Sequence, residues 1–154
     1  MFNDRLFVLA LGTFAIGTEG FMIAGVLPAL AQDFRVSLSA AGQLVTAFSL
    51  AYAIGSPVLA ALTGQTEKRK LLSLSLLLFA LANFACALAP RYGMLMLGRV
   101  IAAVGAGLFV PSASTTAAGL AAPQHRGKAL AVVIGGQTVA LALGVPLGTW
   151  IAYA

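Results

Sequence analysis

Of the 154 residues, 60% are hydrophobic and 8% are charged, against about 25% charged in a soluble domain, so lipid is the natural solvent of this chain. The net charge of +5 comes from nine basic and four acidic residues; they are too few, and too confined to short loops, for a nucleic-acid surface. The one cysteine, Cys86, excludes an intrachain disulfide and sits inside an apolar run, where it reads as a small packing residue.

Arg5, a long apolar run and Ala29-Leu30-Ala31 together imitate a secretory signal. The run is about 25 residues long and contains Glu19, whereas a signal core has about 7–15 residues. It is therefore read as the first of five membrane-length segments. The first is predicted over Leu6 to Leu30, closed by Gln32, Asp33 and Arg35. Ser37 and Ser39 are candidate N-caps for a second over Ala40 to Leu62, which Pro57 should kink. The third covers Leu71 to Ala89 before Pro90, the fourth Tyr92 to Ala118, and the fifth Lys128 to Ala154. Each approaches or exceeds the roughly 20 residues a helix needs to span a bilayer. Backbone groups in hydrocarbon must be satisfied within the segment, so the expected fold class is an all-α membrane protein.

Basic residues set the expected orientation. With a cytoplasmic amino terminus, Arg5, Lys68, Arg69, Lys70, Arg126 and Lys128 lie inside and only Arg35 and Arg91 outside, as the positive-inside rule requires. Tyr92, Trp150 and Tyr153 then suit the outer aromatic belt. The third segment has eight leucines and no glycine, whereas the first, fourth and fifth carry several glycines each. Small residues let membrane helices approach closely, so the third is expected at the periphery and the others in the interior.

Two charges fall well inside the spans, Glu19 and Arg99. An ionised acid at that depth costs about 2.5–3.5 kcal/mol on insertion scales. Counted from the outer ends, their depths differ by roughly 7 Å at 1.5 Å per residue, a gap that an arginine side chain largely bridges. Low dielectric drives a carboxyl toward its neutral form and a nearby arginine opposes it. A group balanced in this way can take up and release a proton, as a proton-coupled carrier requires; a static ion pair between two helices is the alternative. The loop Leu62–Leu72 with Lys68, Arg69 and Lys70 reads as a solvated, topology-fixing turn. In the fifth segment, GVPLGT places Pro146 between Gly144 and Gly148, predicting a bend with close helix contact.

Glu19 within GTEGFMIAGVLP, the short basic loop, the arginine early in the fourth segment and GVPLGT together resemble the major facilitator superfamily, in particular its bacterial drug and sugar efflux branch. The resemblance implies that Arg69 and Lys70 end a gating motif whose usual aspartate falls on Gln65. It further implies that Arg99 is the cavity arginine linked to proton transfer, with Ala102 and Ala103 where a glutamine and a glycine usually follow. Gly144 and Gly148 match the fifth-helix antiporter motif, with Pro146 one place late. Such proteins resemble one another in having two six-helix halves with the substrate site between them, so this sequence corresponds to the first five helices of an amino-terminal half. The implied function is the amino-terminal part of a proton-coupled exporter in the bacterial inner membrane, amino terminus cytoplasmic. Its implied partners are protons, a small molecule, lipid and the missing carboxy-terminal helices. A truncated, transport-incompetent or regulatory membrane fragment is the competing expectation. Enzyme chemistry is not expected: the sole histidine, His125, lies in a loop, and within the spans Cys86 and Glu19 are the only potential metal ligands, short of what a metal site needs. No cofactor is implied.

Overall fold

The computed structural model describes residues 4–153, and of 151–153 the backbone only; the side chain of Tyr153 and the whole of Ala154 lie outside the described residues. The described chain is helical with short turns. Helix α1 is Asp4–Asp33, α2 Leu38–Leu62, α3 Lys68–Ala87 and α4 Tyr92–Leu120. The fifth span is composite: a 3₁₀ turn over Pro123–His125, α5 over Arg126–Val139, a π-helical turn over Ala140–Gly144, and α6 over Val145–Tyr153. Five helical stretches are thus long and apolar enough to cross a membrane.

Local chemistry explains the boundaries. Helix α1 ends in a paired closure in which Val36 N–H donates to Ala31 O at 3.0 Å and Arg35 N–H to Gln32 O at 3.1 Å. This closure needs a left-handed residue just past the helix, and Arg35 supplies it at φ 53°. Ser37 caps α2, its Oγ accepting from Ala40 N–H at 3.1 Å, while Ser39 falls inside the first turn. Helix α3 begins at Lys68, so Lys68, Arg69 and Lys70 form its first turn rather than a loop. Three cations there oppose the positive end of the helix dipole. The carboxylate of Glu67, at the N-cap position, stands against them, 3.1 Å from Lys70 Nζ.

The described chain divides into two compact units, each holding part of α1 and part of α4. In the unit formed by residues up to Gly25 and from Val110 onward, α1 packs along the fifth span. An added Cβ at Gly136 would strike Ala10 O and Thr13 Oγ1; one at Gly144 would strike Thr18, and one at Gly148 Met22. Gly17 would come within 3.0 Å of Ala140 Cβ, and Gly25 within 2.6 Å of Thr149 Oγ1. Thr13 Oγ1 donates across this seam to Val133 O at 2.6 Å.

The seam uses Gly136, Ala140, Gly144 and Gly148, four residues apart. In a straight α-helix such a repeat drifts by about 40° per step and would leave the facing helix after two or three steps. The wider π turn, closed by Val145 N–H to Ala140 O, takes up part of that drift and keeps Gly144 and Gly148 on α1. Pro146 stands directly after it and has no N–H to donate to Ala142 O; the departure from regular α-helix is a π-helical turn that lies just before the motif's proline, at 140–144.

In the unit Val26–Phe109, α4 is the centre. Its Gly105 lies where a Cβ would be 3.0 Å from Ser75 O and 2.9 Å from Phe79 N, and Gly98 is covered by Cys86. Helix α3 answers with Leu71, Ser75, Phe79 and Ala82, all buried on one face. On another face of α4, Gly107 meets Ser56 of α2. Pro111 cannot give Gly107 O its intrahelical hydrogen bond; Ser56 Oγ–H donates to it instead at 3.2 Å. Tyr92 O–H similarly donates to Ala40 O.

Burial corrects one expectation. Half of the most apolar window of α4 is buried (50%), but the third and fifth spans are equal at 22% and the second has only 6%. Glycine content therefore marks α4 as interior but does not separate the fifth span from the third. The fifth buries its glycine seam and exposes Ile134, Val139, Leu141, Leu143, Leu147 and Trp150.

Candidate functional site

Glu19 stands at the middle of the 30-residue α1. Helix geometry carries it there because the run around it contains no residue that would end the helix before Pro28. The side chain is half-buried and its Oε2 is fully so. Its neighbours Gly17 and Thr18 face Ala140 and Gly144, the two ends of the π turn. Thr18 Oγ1 turns inward to Phe14 O at 2.9 Å, which keeps a polar group satisfied inside the apolar helix. Isolated π turns recur at functional sites, since they widen a helix locally without breaking it. Here one lies beside the turn of α1 that bears the acid.

Arg99 belongs to the other unit. Arg99 is 1% exposed, the largest fully buried side chain among the described residues. Its guanidinium carbon lies over the ring of Phe48, 4.4 Å from the centroid. Phe48 in turn stacks on Tyr52 at 6.4 Å with planes 11° apart. A desolvated cation–π contact is worth about 2 kcal/mol, a substantial offset against placing a charge in hydrocarbon. Ala102 and Ala103, which follow Arg99, are completely buried and offer it no side-chain polar group.

Phe48, Tyr52 and Ser56 escape the sequence reading, although their spacing of four residues puts them on one face of α2; that recurrence was the available signal. The π turn escapes it too, announced only by Pro146. Lys68, Arg69 and Lys70 are not brought to Arg99. Gly98 packs at Cys86, about 24 Å along α3 from Lys70 at 1.5 Å per residue. Lys70 is 73% exposed. Gly144 and Gly148 both meet α1, and Pro146 is exposed.

The model of the Major Facilitator Superfamily matches residues 9–154. The chain belongs to that superfamily. It is 43% identical over 150 residues to an MFS-type transporter of Bacillus subtilis (YbcL), covering 97% of this chain and 38% of that protein. It is 39% identical over 152 residues to a chloramphenicol resistance protein of Streptomyces lividans, covering 96% and 39%. An inner membrane transport protein of Escherichia coli (YdhP) is 35% identical over 149 residues, covering 97% and 38%. The superfamily member described here thus spans about two-fifths of the length of the relatives it matches. The five apolar helices are the spans of a multi-pass membrane protein.

Proposed function

We propose that the protein carrying this chain is a proton-coupled exporter of a small molecule in the bacterial inner membrane, with Glu19 as the proton-exchanging group. The observation that carries the reading is the half-buried carboxyl at the midpoint of α1, in a member of a transporter superfamily. Intramembrane acids are costly and mark proton or substrate paths. Arg99, buried to 1% exposure, supplies the fixed positive charge of the cavity. The direction of transport is supported by the Streptomyces lividans relative, whose name is a resistance to chloramphenicol, and the membrane by the Escherichia coli relative. Lys68, Arg69 and Lys70 act at the cytoplasmic end of α3 in gating, and Gly144, Pro146 and Gly148 shape the fifth span against α1.

The mechanism is an exchange at one acid. Protonated from the outer side, Glu19 crosses to its inward-open state neutral, where hydration favours release of the proton. Substrate then occupies the site the proton vacated and is carried out. Uptake of chloramphenicol, as first probe, into inside-out vesicles tests this. Imposing an acidic lumen accelerates uptake by the native protein, and Glu19→Gln abolishes that acceleration. An unchanged response in Glu19→Gln removes Glu19 from the mechanism.

A further inference from the structure

We propose that the first turn of α3 and the apolar face below it bind one anionic phospholipid, of which phosphatidylglycerol is the type. Its phosphodiester lies among Arg69, Lys70 and Ser73, and an acyl chain follows Leu74, Leu77 and Leu81. The proposal does not depend on the transport reading; it needs only that α3 spans a bilayer.

Helix geometry sets the two parts in register. Leu71, Ser75, Phe79 and Ala82 share one face of α3, and all four are buried. Lys70 lies about 135° round from them, on the same line as Leu74, Leu77 and Leu81, and all of these are exposed. Arg69 and Ser73, both exposed, stand beside that line at its amino-terminal end, one turn apart. From Lys70 to Leu81 the stripe runs eleven residues (81 − 70), about 16 Å. That is close to half of the roughly 30 Å hydrocarbon core of a bilayer, so a lipid of one leaflet matches it, headgroup on the cations and chain on the leucines.

The charge of the turn selects the headgroup. Lys68, Arg69 and Lys70 stand against one acid, Glu67, a local balance of +2 (3 − 1), and that acid is 3.1 Å from Lys70 Nζ. The unit's other acid, Asp33, precedes α2 and is separated from the turn by that helix's 25 residues, about 37 Å. The positive end of the helix dipole adds to the repulsion among the cations. A headgroup of net negative charge relieves it, whereas phosphatidylethanolamine brings an ammonium with its phosphate and relieves it less. Each basic residue at an anionic leaflet strengthens such binding about fivefold.

The test uses the protein carrying this chain, freed of other cysteines and bearing a bimane fluorophore at Leu74→Cys. It is reconstituted in equimolar phosphatidylglycerol and phosphatidylethanolamine, with a small fraction of one or the other carrying a doxyl quencher on its acyl chain. Labelled phosphatidylglycerol should quench more strongly than labelled phosphatidylethanolamine. The preference should fall about fivefold in Lys70→Gln or Arg69→Gln, hold in Lys70→Arg and rise in Glu67→Gln, and inorganic phosphate should not displace the lipid. Equal quenching by the two lipids, or stronger quenching by phosphatidylethanolamine, overturns the site. A preference untouched by Arg69→Gln and Lys70→Gln together removes it from this turn. Displacement by inorganic phosphate makes the turn a site for free anions and overturns the lipid. Should Lys70→Gln not fold, Glu67→Gln removes no cation and still decides: a preference that does not rise there overturns the proposal.

Discussion

At the scale of single residues, several polar groups within the apolar helices are answered by a nearby group. Ser56 is the clearest case. Pro111 deprives Gly107 O of its intrahelical donor, and Ser56 Oγ restores one at 3.2 Å. Ser56→Ala is expected to destabilise the protein by about 1–2 kcal/mol, the scale of a membrane interhelical hydrogen bond. Pro111→Ala in the same protein should recover most of the loss by returning the i−4 bond; equilibrium unfolding in mixed micelles measures both. Equal destabilisation with and without Pro111 would show that Ser56 acts by packing alone. None of this was legible in the sequence, because which serine answers a freed carbonyl is decided by the neighbouring helix.

At the scale of elements, the seam between α1 and the fifth span shows that glycines of one motif are not equivalent. An alanine at Gly136 would drive its Cβ into the backbone oxygen of Ala10, which cannot move without moving α1. At Gly148 the obstacle is the end of Met22, a side chain with several rotatable bonds that adapts readily. Gly136→Ala should therefore cost about 1–3 kcal/mol, as overpacking does, and Gly148→Ala well under half of that, read by thermal unfolding in detergent. The reverse order would mean that the seam is looser at its Ala10 end than at Met22. Sequence composition predicts close contact for both glycines and cannot rank them. The first turn of α3 illustrates a second limit. Lys68, Arg69 and Lys70 lower the local hydropathy, so an apolar-run criterion ends the span at Leu71, yet long basic side chains are good helix formers and the helix continues through them.

At the scale of the whole molecule, five spans were legible because about 20 apolar residues in a row have no other stable use. The family was legible because Glu19, Arg99 and GVPLGT keep their order and spacing. The contact of Arg99 with Phe48 was not, since it joins residues 51 positions apart (99 − 48). Orientation is argued from charge: six basic residues on one side, against Arg35 and Arg91 on the other, predict that a cysteine at position 70 or 126 reacts with an impermeant maleimide only from the cytoplasm. A cysteine at position 35 should react only from outside, both in a Cys86→Ala background. Labelling of position 35 from the cytoplasm would invert the topology and with it the direction of proton access to Glu19.

The central claim, that Glu19 exchanges its proton for substrate, is tested most directly by mixing substrate with the purified protein in weakly buffered detergent and following pH. Once a transported compound is identified, the native protein should release close to one proton per compound bound, and Glu19→Gln should bind it with no release. Equal proton release from the Glu19→Gln protein would contradict the account.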